Sequence, residues 1–341
     1  MVLSTAFVDN QFYRSSIQTL KFKQANIMQA TELKWLGSPI SKHTGTIEQI
    51  IAHIPEFERR PFSLSNEQPL INENQFMDMI VRKAVANDKA EIPIGVVSKS
   101  YQLVQHKEVI DTIVNALSKV GIKPEDVTAE LQITKYGERV GLHFQFPEKH
   151  DIDPGDGHKL ALRLGVFNSV DGSTRFRAVL GWLRFVCSNG MVVGSAQNDY
   201  KRRHNQTLVI ADVNELLTQG IELAVADQAN LQRWCKTALH QDKLSRWIDK
   251  EVSNKWGVIA ATRAFHIATS GKDVKVVPFA KKALPSEKEV EKGKSVPGSE
   301  KPAKNLYDVS QVLTWLAGQR NDVEEQLNWQ RDVPELMAAL A

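Results

Sequence analysis

Between Ala129 and Phe146 the chain alternates apolar and polar residues with a period of two. Ala129, Leu131 and Ile133 lead into a turn at Tyr136-Gly137-Glu138, and Val140, Leu142, Phe144 and Phe146 return. Successive strand side chains point to opposite faces, so one face of this hairpin seeks a core, and a slip of one residue would expose it. A two-stranded hairpin is marginal on its own, so the pattern requires a larger antiparallel sheet with one face covered. Leu160, Leu162, Leu164 and Val166 supply a third strand, with Lys159 and Arg163 on its other side. Asp171-Gly172 is a strong hairpin signal before a fourth strand from Arg175 to Cys187, and Asn189-Gly190 marks a further turn before Met191 to Val193.

Upstream, Ile92 to Val97 reads as a strand and His106 to Val120 as an amphipathic helix. Val109, Ile110, Ile113, Val114 and Leu117 fall on one helical face, and Gly121 stops it. Strand, helix, then several adjacent strands favours an α+β fold, a mainly antiparallel sheet with flanking helices, over a doubly wound parallel one. Residues 1–75 read as an irregular N-terminal segment with one short helix at Thr46 to Ile54, and residues 76–210 as the α+β core with a basic hairpin. Asn74 to Ala86 looks helical, with Phe76, Met79, Ile80 and Val81 on one side. Residues 211–280 read as a helical region packing on the core, its first helix capped by Asp212. Residues 281–304 hold seven Lys, four Glu, three Pro and two Gly, which predicts a flexible linker. Residues 305–341, with Trp315 and Trp329, then form a tethered helical tail.

The 341 residues are 42% hydrophobic and 24% charged, ordinary globular values that exclude a disordered or collagen-like chain. The two cysteines, Cys187 and Cys235, form no metal-ligand or redox spacing and suit a reducing, cytoplasmic setting. No apolar run is long enough to span a membrane. Gly293-Lys294-Ser295 has Lys288 where a phosphate-binding loop needs Gly. Asp151, Asp153 and Asp156 lack the closing Glu of a calcium loop. His143 falls on the polar side of a hairpin strand and reads as exposed; His266 reads as a core histidine. No metal, no cofactor and no acid–base pair is expected, which argues against an enzyme while leaving open a site assembled from distant residues, for example around Cys187.

The near-neutral total, a formal +3, conceals an uneven distribution. Residues 163–204 carry Arg163, Arg175, Arg177, Arg184, Lys201, Arg202 and Arg203 against Asp171 and Asp199, a net +5, so the rest of the chain is slightly acidic. Phe167, Phe176, Trp182, Phe185 and Tyr200 are interleaved. A basic groove with aromatic platforms is what single-stranded nucleic acid requires: cations follow the phosphates and bases stack on rings. Arg175 and Arg177, one residue apart, would share a strand face. The alternative is a solvated outer sheet face with the aromatics in the core.

The run Val166-Phe167-Asn168-Ser169-Val170-Asp171-Gly172-Ser173-Thr174, with Gly181-Trp182-Leu183-Arg184-Phe185-Val186-Cys187-Ser188-Asn189-Gly190-Met191-Val192-Val193-Gly194, resembles the phage/plasmid-like protein family, also described as domain of unknown function 932. Ser98 to Val104 and the helix after it are similar to that family's upstream block. The resemblance extends well over residues 90–210. It implies a mobile-element context and carries over no catalytic residue. Physically, Asp171-Gly172 and Asn189-Gly190 read as structural turns. The reading that follows is a non-enzymatic accessory protein that binds or anneals single-stranded nucleic acid. A module that docks on a host protein through its tail is the alternative, and an oligomer stays open.

Overall fold

The computed structural model describes residues 33–63, 73–85, 90–184, 189–192, 199–276 and 290–341. Its thirteen described strands are β1 (Lys34–Trp35), β2 (Ser38–Gly45), β3 (Phe57–Ser63), β4 (Glu73–Arg82), β5 (Ile92–Ser98), β6 (Thr128–Thr134), β7 (Arg139–Gln145), β8 (Leu160–Ser169), β9 (Phe176–Arg184), β10 (Asn189–Val192), β11 (Asp199–Arg202), β12 (Lys272–Val276) and β13 (Val290–Ser295). The helices are α1 (Ile47–Ile51), α2 (His106–Lys119), α3 (Val213–Lys236), α4 (Gln241–Trp247), α5 (Ser253–Ser270), α6 (Leu306–Gly318) and α7 (Val323–Leu340), with a π-helical turn, Ile248–Val252, joining α4 to α5. The fold is α+β, as the alternation requires.

The main sheet runs β1-β2-β6-β7-β8-β9 and is antiparallel throughout. Beyond β9, the edge is shared: β10 pairs with residues 181–184 and β11 with residues 176–179. The predicted inward residues all face one core. Leu131, Leu142, Leu164 and Leu180 are fully buried and join Ile110, Ile113 and Leu117 of α2, Leu217 of α3 and Leu313 of α6 in one cluster that reaches from Ile47 to Leu340. Each such side chain contributes about 1.5–3 kcal/mol by leaving water. The Thr46 hydroxyl and Gln49 form a reciprocal capping box that starts α1 where the sequence placed a short helix.

Three expectations need correction. Of the run Asn74 to Ala86, read as helical, the described residues 74–85 form no helix: β4 is the central strand of a separate three-stranded sheet, β3-β4-β5. Phe76, Met79, Ile80 and Val81 suit a helical face, yet the run has no cap, and backbone partners on both edges favour the strand. Asn189-Gly190 does not form the turn; both residues open β10, paired with Arg184 and Leu183. Residues 185–188, which connect the two strands, lie outside the described residues, and Cys187 with them.

The third correction concerns residues 281–304. Residues 281–289 lie outside the described residues, but β13 pairs with β12 in a ribbon, and the chain after it is fastened to α5. Val296 N–H donates to Gly271 O, Ala303 N–H donates to Ala268 O at 2.7 Å, and Val296 and Ala303 are buried. Lys and Glu depress hydropathy here, but backbone pairing needs no apolar side chains, so composition alone could not exclude a ribbon. The helices that follow are not a detached tail. Tyr307, Val309, Leu313, Leu316 and Met337 are buried in the main core, and Trp247 Nε1 donates to Leu336 O at 3.0 Å.

Candidate functional site

The Asn168 to Thr174 motif is a clasp joining the two larger sheets. Asn168 is fully buried; its Nδ2 donates to Val104 O at 3.0 Å and to His106 Nδ1 at 2.9 Å. That contact leaves the His106 proton on Nε2, which donates to Gly137 O at 2.8 Å. Burial pushes the His106 pKa down to about 4, so the ring is neutral. Tyr101 Oη donates to Ser169 O, and burial raises its pKa. The Ser169 hydroxyl bonds both backbone groups of Thr174, and Asp171 accepts from Arg139 at 2.9 Å and from the Ser173 N–H and hydroxyl. Gly172 turns the chain at φ +76°, a conformation in which Gly pays no Cβ penalty, and packs beside Val97 and Tyr101. Asp171 and Gly172 stand at the turn itself, Asp171 tied to Arg139 and Ser173 and Gly172 beside Val97 and Tyr101.

The seven basic residues do not form one surface. Arg177 is 1% exposed on the outer sheet face, where it donates to Asn328 Oδ1 and Leu327 O of α7. Arg184 is 5% exposed, donates to Asp156 Oδ2 at 2.6 Å and Gly298 O at 3.2 Å, and lies over the Tyr307 ring. Both are internal ties, so Arg175 and Arg177 do not form a ladder. Lys201 pairs in register with Arg177 and is half-buried. Arg163 stands apart in a cavity on the outer face.

Arg175, Arg202 and Arg203 lie at one end of the β9–β11 ladder. Arg202 pairs in register with Phe176 as the last rung of the β9–β11 ladder; Arg175 precedes that rung and Arg203 follows it. All three are exposed, and among the described residues none has a carboxylate partner. Arg202 lies over the Tyr200 ring at 4.7 Å. Of the aromatics, Phe176 and Trp182 are core residues, Phe167 is buried on the outer face, Tyr200 is half-buried against Phe176, and Phe185 lies outside the described residues. Stacking platforms are therefore not what the aromatic spacing encoded.

The outer sheet face holds a feature the sequence reading missed. Gly141, Gly165 and Gly181 stand on adjacent strands β7, β8 and β9, each two register positions further along the ladder and so on the same face. The Phe167 ring fills the space beside Gly141, and Gly165 and Gly181 leave a trough. His143 and Arg163 border it on one side, Phe167 and Val179 on the other, and α7 roofs it with Val323, Gln326 and Leu327. The cavity, open to solvent along part of its length, is about 380 Å³. His143, read as exposed, is half-buried here: its ring sits edge-on to Phe167 at 5.3 Å, and Nε2 is buried with no hydrogen-bond partner among the described residues. Burial, then the charges of Arg163 and Lys42, hold its pKa well below the usual histidine range. The glycines and outer-face polar residues are all visible in the sequence, but only the strand register brings them side by side.

Among the described residues no three His, Cys, Asp or Glu gather as a metal centre. Cys235 is half-buried, and burial pushes its thiol up to about 11, which suits a packed residue. No described helix is long and apolar enough to cross a membrane. A model of the family described as "Domain of unknown function (DUF932)" matches residues 93–266, from β5 through most of α5, and so contains the clasp, the arginine edge and the floor of the trough. No curated protein and no solved structure matches the chain.

Proposed function

The chain belongs to the DUF932 family, whose description carries no activity, and we propose that it is a non-catalytic accessory protein of a phage, prophage or plasmid that binds single-stranded nucleic acid. The observation that carries this reading is the exposed edge of Arg175, Arg202 and Arg203, three guanidinium groups at one end of one ladder with no carboxylate partner among the described residues. Guanidinium groups so placed suit phosphates in either a bidentate or a single contact. Because the aromatics are largely core, the mode is phosphate tracking with little base stacking, hence weakly dependent on sequence and strongly dependent on salt. The mobile-element context rests on the motif resemblance.

Fluorescence anisotropy with a labelled oligothymidine, titrated across salt, tests it. Each phosphate contact on a single strand contributes about 0.7 to the slope of log affinity against log salt. The triple variant Arg175→Ala, Arg202→Ala, Arg203→Ala should lose roughly 2 from that slope. An unchanged slope, or no binding of the parent protein at low salt, would refute the reading.

A further inference from the structure

The trough on the outer sheet face is built unlike the arginine edge, and its chemistry points to a different occupant. Its floor is backbone only. A Cβ on Gly165 would come within 3.3 Å of both His143 Nδ1 and the Phe167 ring, so any side chain there would close the space. One bank is polar and charged, the other apolar. Arg163 is only 21% exposed at its side chain, yet its one hydrogen bond among the described residues is a long 3.4 Å contact to Glu130. Guanidinium has five N–H donors, so most of those of Arg163 are left for an acceptor that enters the trough. Glu130 is itself held by Gln132 Nε2 at 2.8 Å. Lys42, in register with Gln132 on β2, adds a second cation with no acidic partner among the described residues.

We propose that this trough binds a small organic anion with a flat, apolar body. The anionic group is taken by Arg163 and Lys42 beside His143, and the flat body lies over Gly165 and Gly181 against Phe167 and Val179. The cover of α7 on one side and a volume of about 380 Å³ suit a ligand of small-molecule size. This site is separate from the arginine edge and does not depend on nucleic-acid binding.

Two dyes sharing one ring system test it: 8-anilinonaphthalene-1-sulfonate, which is anionic, and N-phenyl-1-naphthylamine, which lacks the sulfonate. The sulfonate dye should bind the full chain at one site and at least tenfold more tightly than its neutral counterpart. Lys42→Gln and Arg163→Gln should each reduce that preference to threefold or less, while the triple arginine-edge variant leaves it unchanged. Equal affinity for the two dyes, several equivalent sites, or a preference that survives Lys42→Gln would overturn the proposal. Lys42 is exposed, so its variant decides the matter even if Arg163→Gln fails to fold.

Discussion

Asp171 holds Arg139 with one carboxylate oxygen and Ser173 with the other, while Arg139 reaches back to Trp35 O at 3.0 Å. Both side chains are about 90% buried, so removing the carboxylate leaves the Arg139 guanidinium, among the described residues, with only the longer 3.6 Å ion pair to Glu138. Asp171→Ala should destabilise the fold by about 3 kcal/mol, read from the urea midpoint. His106 sets a pH dependence. Its pKa is about 4 in the fold against 6.5 ordinarily, so above pH 6.5 both states are neutral and nothing changes. Below that the unfolded chain takes up the proton first, and stability falls until about pH 4, by roughly 3 kcal/mol at most. The variant His106→Gln should be less stable at pH 7 but lose less between pH 7 and 4.5. Asp171 and Gly172 were legible as turn chemistry from the sequence, and Asn168 only as part of the motif that carries the family resemblance. Their partners Val104, Arg139 and Tyr101 were not, because each contact spans at least 32 residues.

At the scale of elements, the period-two pattern located β6 to β8 because one face of each lines the main core, and the 3.6-residue pattern located α2 for the same reason; β9, buried on both faces, alternates less cleanly and was marked by its turn signals. Elements whose stability comes from backbone pairing left a weaker trace. β4 resembles a helix, and the β12–β13 ribbon resembles a linker, because in both cases the partner strand supplies what side-chain pattern does not. The ribbon offers a direct test. A Cβ on Gly293 would lie 2.4 Å from Asp273 O. In a flexible linker Gly293→Ala would be neutral or slightly stabilising. In the ribbon it should cost about 1–3 kcal/mol, seen as a lowered thermal midpoint. The basic segment was legible as a concentration of charge, but its division into internal ties, cavity wall and exposed edge depended on which face each strand position took and on what α7 covers.

For the whole molecule, the helices near the C-terminal end are structural members. Removing residues 306–341 would uncover Leu313, Leu316 and Met337's neighbours in the core, together with Arg177 and Phe167 on the other face of the sheet. A chain truncated after Lys304 should lose its cooperative unfolding transition and bind a hydrophobic dye at many sites, whereas loss of a detachable docking tail would leave the transition in place. The two faces of the main sheet are in this way finished by the same pair of helices.

That closure also sets an order of events during synthesis. Lys34 N–H donates to Asn321 O, and Leu36 N–H donates to Asp322 Oδ2 at 2.7 Å, so β1 rests against the start of α7. A strand near residue 34 therefore leaves the ribosome almost three hundred residues before its partner exists. Contacts so distant along the chain close last and slowly. Until then Trp35 and Phe167, which meet α7 through Leu327, have no cover, and a nascent chain stalled before residue 323 presents that apolar surface to chaperones.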